Sequence, residues 1–202
     1  MDALDGVEVT AFPDPAAWES WLAANHQLQA GVWLKLAKKS SGIPSVTDDE
    51  VVDIGLCYGW VSGQRKALDE GYYLQKYVPR RPRSLWSQVN VDKVEKLLAA
   101  GRMREPGMAE VRAAQADGRW DAAYASQKEA TVPPDVVTAL EENAKARAVF
   151  DALDRTAQYR LYLPVLQALS PKARVARLQK LIAQLEAGAA PATSATRTPG
   201  SR

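Results

Sequence analysis

Apolar positions recur along this chain at two periods, and the change from one to the other divides it. In PAAWESWLAAN (15–25), Trp18, Trp21 and Leu22 stand at i, i+3 and i+4 and share a helical face. Asp14 and Pro15 are the entry signals for that helix. In GVWLKLAKK (31–39), Val32, Leu34 and Leu36 alternate with Trp33, Lys35 and Ala37, which is the strand period. SSGIPS (40–45) reads as a loop by composition. Thr47-Asp48-Asp49-Glu50 is a capping box, predicting a helix through VVDIGLCYG that stops near Gly59. WVSGQRKAL (60–68) and YYLQKYV (72–78) read as two strands joined by Asp69-Glu70-Gly71.

Beyond Pro79 the pattern is helical. PRRPRS cannot sit inside a central strand, because its prolines lack the amide donor. Asn90 is placed to cap VDKVEKLLAAG, with Gly101 as its stop. Pro106 opens GMAEVRAAQADG, Pro134 opens DVVTALEENA, and RAVFDAL follows closely. Thr156–Leu169 predicts another helix, which Pro164 should end or kink. Ser170-Pro171 start KARVARLQKLIAQLEAG, with Val175, Leu178, Ile182 and Leu185 on one side. AAPATSATRTPGSR (189–202) has no periodicity and is expected to be a disordered tail. The expected class is α+β: a small antiparallel sheet packed by helices, with a largely helical C-terminal half. Residues 1–188 are expected to form a single domain, with a helical subdomain from about 134 as the alternative. Regular strand–helix alternation is absent, which argues against a doubly wound sheet.

Composition changes this picture little. Of 202 residues, 47% are hydrophobic and 25% charged, ordinary globular usage. One cysteine, Cys57, rules out an internal disulfide and fits a reducing compartment. The acidic start MDALDGVEVTAF does not read as a secretory signal, and no run reaches the roughly 18 apolar residues of a membrane helix. The expectation is a cytoplasmic protein with no membrane insertion. The net charge of +2 is small, but residues 76–104 hold eight basic and two acidic side chains.

The usual chemical signatures are missing. There is no GxGxxG and no GxxxxGK[ST], so the common nucleotide cradles lack their glycines. One histidine, His26, and one cysteine do not make a zinc site, and Asp48, Asp49 and Glu50 suit a helix N-terminus better than a metal. Cys57 lies in an apolar helix face and reads as a small buried hydrophobe rather than a nucleophile. Neither a metal nor a cofactor is expected. The most unusual segment is PRRPRSLWSQVN (79–90). Arginine forks suit carboxylates and phosphates, and Ser84, Ser87 and Asn90 precede a helix whose first amides favour anions. A site there would use Arg80, Arg81, Arg83, Ser84, Ser87 and Asn90, with Trp86 and Tyr73 as apolar walls. The competing reading is a structural cap: arginines paired with Asp69 or Glu70, Trp86 in the core and Asn90 on the helix amides. Most of the six tryptophans, Trp60 among them, are better core residues than stacking platforms.

The segment LCYGWVSGQRKALDEGYYLQKYVPRRPRSLWSQVNVDKVEKLLAAGRM (56–103) resembles the YdeI/OmpD-associated, or bacteriocin-protection, family. WESWLAANH, GVWLKLAKKSSGIPS, ADGRWDAAY (116–124), the helix with Ala148-Val149-Phe150 and the arginine-rich closing helix extend the resemblance over about 10–187. The family's defining stretch maps onto Gly59, Trp60, Gly63, Gln64, Asp69, Tyr73, Pro79, Arg80, Arg81, Ser84, Trp86, Ser87 and Asn90. Two departures stand out. Ser62 replaces a usual aspartate, and Ala157-Gln158 replace a usual asparagine–arginine pair. The resemblance implies a bacterial cytoplasmic protein without a cofactor, linked to envelope or antimicrobial-peptide stress. The leading expectation is a non-enzymatic binding protein for a small anion or a protein or peptide partner. The alternatives are an enzyme acting on a small phosphorylated or carboxylated substrate, with Asp69 as base, and a weak nucleic-acid binder through 76–104. Gln64 and Trp60 join the ligand-binding candidates on the resemblance alone.

Overall fold

Two stretches of chain fold around separate cores. The computed structural model describes residues 3–188. Contacts divide it into two compact units, Met1–Asp121 and Ala122–Arg202. The expected tail, 189–202, lies outside the described residues.

The first unit is built on five strands: β1 (Ala3–Leu4), β2 (Val7–Thr10), β3 (Val32–Ala37), β4 (Trp60–Ala67) and β5 (Tyr72–Pro79). Their spatial order is β1-β2-β3-β5-β4. The sheet is mixed rather than antiparallel, because β2 runs parallel to β3 while the other pairs are antiparallel. The reason is the helical crossover α1 (Pro15–Asn25), which returns the chain to the same end of the sheet before β3 begins. β3 and β5 pair from Val32↔Tyr77 to Ala37↔Tyr72. β4 and β5 pair on either side of a bulge, the register slipping between Ser62 and Arg65. The β4–β5 turn is closed by Asp69, whose carboxylate accepts from the Gly71 and Tyr72 amides at 2.9 and 2.8 Å.

Period 2 sorts the sheet into two faces. One carries Val32, Leu34, Leu36 and Tyr77 and receives α1 and α2 (Asp48–Cys57). Trp18 meets Tyr77 and Trp60 edge-on, with ring centroids 5.8 and 6.3 Å apart. The expected capping box on α2 is present: the Thr47 amide donates to Glu50 Oε2 at 2.8 Å, and Thr47 Oγ1 accepts from the Glu50 amide. Helices α3 (Gln88–Ala99) and α4 (Glu105–Ala116) lie on α2. Gly107 lets α4 approach closely: a Cβ there would stand 2.3 Å from the Cys57 carbonyl oxygen. α3 begins earlier than the sequence suggests. Ser87, not Asn90, is its cap, accepting from the Asn90 amide at 3.3 Å.

The second unit is helical: α5 (Pro134–Glu141), α6 (Ala144–Asp151), α7 (Arg155–Leu166) and α8 (Pro171–Glu186). Val136, Leu140, Phe150, Tyr159, Tyr162, Val165, Leu181 and Leu185 form its core. Arg174 of α8 grips Asp135 of α5 with two parallel bonds of 2.7 and 2.8 Å. The Arg174 guanidinium holds the Asp135 carboxyl below the usual carboxylate range, against the opposing effect of burial. Pro164 lies inside α7 and does not end it; the helix runs on to Leu166.

Candidate functional site

A concavity with convergent polar groups lies in the first unit where the α2 N-terminus meets the sheet. It measures about 660 Å³. Its apolar wall is Ala37, Ile43 and Val46, and its polar groups include Lys38, Lys39, Asp48, Arg65 and Tyr73. The chain places these residues from four directions. β3 ends at Ala37, and a single 3₁₀ turn, Lys39–Ser41, carries the two lysines across the rim. The capping box fixes Asp48 at the first turn of α2. The bulge in β4 aims Arg65 at the helix, and Tyr73 follows the β4–β5 turn.

These groups form one hydrogen-bonded network. Arg65 donates to both oxygens of Asp48 at 3.0 and 2.8 Å, and its Nε donates to Gln75 Oε1 at 2.8 Å. The Arg65 guanidinium lies 4.4 Å from the centre of the Tyr73 ring. The Tyr73 hydroxyl donates to Asp48 Oδ1 at 2.8 Å. Burial and the Asp48 carboxylate push the Tyr73 phenol up to about 12, so it stays a neutral donor at neutral pH. Gln75, buried on β5 between β3 and β4, donates to the carbonyls of Gly63 and Gln64 at 2.9 and 3.1 Å and so closes the bulge. Lys38 donates to the Asp69 carbonyl at 2.6 Å, a neutral partner that leaves its charge uncompensated.

The arginine loop is folded differently. Arg80 is 5% exposed; its guanidinium lies 3.5 Å over the Trp86 ring and donates to the Leu85 carbonyl. Trp86 is buried and meets Trp120 edge-on at 4.9 Å. The Arg81 amide donates to Ser84 Oγ, and Arg83 takes a φ of 68° at the tip, the left-handed region that non-glycine residues rarely enter. Arg119, 4% exposed, clamps the loop from outside: it donates to the Ser84 carbonyl at 2.7 Å and to both oxygens of Asp117 at 2.8 Å. Arg81 and Arg83 remain on the surface.

Sequence comparison places the chain. Residues 10–110, half of the chain, match the family model described as Domain of unknown function (DUF8412). Residues 129–188 match the family model described as Bacteriocin-protection, YdeI or OmpD-Associated. The chain belongs to the DUF8412 family and carries a YdeI/OmpD-associated domain. Among curated proteins and solved structures, nothing matches.

The segment that suggested the YdeI/OmpD-associated family, 56–103, thus falls within the DUF8412 match, and the YdeI/OmpD-associated match covers the closing helices. All eleven residues proposed from the sequence lie in the DUF8412 part, but they do not converge. Arg80 and Trp86 pack on each other; Ser84 and Ser87 satisfy backbone amides, and Asn90 is half-buried at the start of α3. Trp60 is in the core, its indole donating to the His26 carbonyl at 2.8 Å. Gln64 is exposed on the bulge, and Asp69 is consumed by its turn. Tyr73 alone lines the cleft. The basic segment also disperses. Lys93 pairs with Asp53 and Asp49, and Arg104 with Glu19.

Lys38, Lys39, Asp48, Arg65 and Gln75 were not singled out from the sequence as a site. Arg65 lies 17 residues from Asp48, and Tyr73 lies 25 from it, so no local motif joins them. At the departures, Ser62 is exposed at the start of the bulge, Ala157 is buried, and Gln158 donates to the Phe150 carbonyl. Cys57 is buried, and burial pushes its thiol up to about 11, the opposite of an activated thiolate. Among the described residues, no three histidine, cysteine or carboxylate side chains stand together as a metal site, and no helix is long and apolar enough to cross a membrane.

Proposed function

We propose that this chain is a non-enzymatic binding protein that takes a small amphipathic anion, free or as the end of a peptide, in the cleft beside α2. The observation that carries the reading is the composition of the cleft. An apolar wall faces Lys38 and Lys39, while Arg65 and Asp48 are paired with each other and Asp48 also accepts from Tyr73. A volume of about 660 Å³ is in the range of small-molecule sites. Lys38 and Lys39 then supply the charge, while Ile43 and Val46 receive an apolar body. A binding role also suits the side chains nearby. Asp48 is held by Arg65 Nη2 and the Tyr73 hydroxyl rather than poised as a base, and the Tyr73 phenol is a poor acid at neutral pH.

The setting we propose, on the resemblance to the bacteriocin-protection family, is a cytoplasmic protein working in envelope or antimicrobial-peptide stress. The test is titration of ¹⁵N-labelled protein with benzoate, phenyl phosphate and short acidic peptides. Amide shifts should concentrate at Lys38, Lys39, Thr47 and Tyr73. Lys39→Ala, on an exposed side chain, should weaken binding while leaving the melting temperature unchanged. Shifts confined to the 79–90 loop would move the site there, and no shifts at millimolar ligand would end the reading.

A further inference from the structure

The opposite face of the sheet carries a different chemistry. Period 2 and the strand registers put Val9, Trp33, Lys35, Leu74, Lys76 and Lys66 on it. Lys35 of β3 and Lys66 of β4 flank Leu74 of β5 in one cross-strand row. With strands about 4.8 Å apart, their Cα atoms lie roughly 10 Å from each other. Lys76 stands two residues along β5, about 7 Å further on. The ammonium groups lie over aromatic rings: Lys66 Nζ and Lys76 Nζ are 5.1 and 5.8 Å from the Trp33 ring centre, and Lys35 Nζ is 4.1 Å from that of Tyr72.

Three ammonium groups therefore share a patch whose facing carboxylates are few. Asp5, at the β1–β2 turn, pairs with Lys66 at 2.8 Å, but both partners are exposed and the pair is easily exchanged. Asp69 sits at the end of the patch, one carboxylate oxygen occupied by two amides. Beside Lys35 lies a hollow of about 300 Å³ walled by Val9, Ala11, Leu68, Leu74 and Asp69, a volume larger than that of one flat heterocycle.

We propose that this face docks a single-stranded nucleic acid, with phosphates on Lys35, Lys66 and Lys76 and one unstacked base in the hollow. Charge complementarity selects a polyanion. The lysine spacing suits successive phosphates better than one compact anion, and the hollow selects a single strand, since a duplex offers no free base. An anionic membrane is disfavoured because Trp33, Leu74 and Val7 are buried and offer no side chain to insert. This surface lies across the sheet from the ligand cleft and stands independently of it.

The experiment is fluorescence anisotropy of the full chain with labelled oligothymidylate and oligouridylate of about 20 nucleotides across a salt series. Three neutralised phosphates predict that log K falls with log salt at a slope of about −2. Lys35→Gln with Lys76→Gln should reduce affinity at least about tenfold and bring the slope to about −0.7, with an unchanged melting temperature. Arg81→Gln with Arg83→Gln should leave both intact. Four results would overturn the assignment: no binding at low salt, an unchanged affinity in the lysine variant, a duplex bound as tightly as the single strand, or binding to phosphatidylserine vesicles instead of the oligonucleotide. Because Lys39→Ala reads the cleft and the lysine pair reads the sheet face, either proposal can fail alone.

Discussion

Replacing Gln75 by leucine tests whether the β4 bulge is held by one side chain. Gln75 is 4% exposed and spends its whole amide on the bulge. Its nitrogen serves the Gly63 and Gln64 carbonyls, and its oxygen serves Arg65 Nε. Leucine fills much of the same volume without any of these bonds. Each neutral bond contributes about 1 kcal/mol net. The Arg65 bond counts for less than a buried charged one, because the arginine is half-exposed and water replaces the partner. The expected loss is therefore about 2–3 kcal/mol. All six tryptophans lie at or before Trp120, within the first unit, so indole emission in urea follows that unit alone. The midpoint should fall while the slope stays constant. Gln75→Glu is the sharper control: it keeps an acceptor for Arg65 but turns an oxygen towards two carbonyls, and it should be no more stable than the leucine variant. A loss below about 0.5 kcal/mol for leucine would show that the bulge stands without its clamp.

Three further outcomes are expected. Cys57 should resist a thiol reagent at pH 8 in the folded protein and react fully in urea, since burial pushes the thiol up to about 11; fast native labelling would contradict its packing. Asp135 has a depressed carboxyl, so its contribution to stability is present above the unfolded value near 3.8 and is lost as pH falls through the lower folded value. Asp135→Asn should accordingly flatten the acid limb of the ellipticity curve, and an unchanged limb would remove the ion pair from the balance. The single-domain expectation is kept as a proposal: urea transitions by indole emission and by far-UV ellipticity should coincide, and midpoints separated by about 1 M would assign independent folding.

The sequence revealed local structure wherever a short pattern has one physical meaning. The Thr47–Glu50 box, the Asp69 turn and the strands near 31–37, 60–67 and 72–78 all depend on neighbours in the chain. The failures are non-local or competitive. β1 and β2 total six residues, too few for periodicity to show, and the parallel pairing of β2 with β3 depends on where α1 returns the chain. Ser87 and Asn90 are both good caps, and only the fold decides between them. Pro164 lacks the amide that would bond the Arg160 carbonyl, yet the helix runs two residues further, to Leu166, and the sequence pattern alone does not reveal that. Val175, assigned to the packed side of α8, is 55% exposed, because Leu181 and Leu185 carry the contact. The site was legible only at Tyr73. The segment with the unusual composition, 79–90, used its arginines and tryptophan on itself, while the cleft drew on residues with ordinary local contexts.

β4 closes one side of the sheet, and its outer margin is unpaired within the sheet. Such a margin is the usual starting point for strands of separate molecules to zip together. Here the slip between Ser62 and Arg65 puts the donors and acceptors of the margin out of phase halfway along. A second molecule approaching in register on one half would find the other half mismatched, and it would bring Arg65 and Lys66 against their own copies. Resistance to self-association is thus written into backbone geometry, which a chain carrying a net charge of only +2 cannot draw from long-range repulsion.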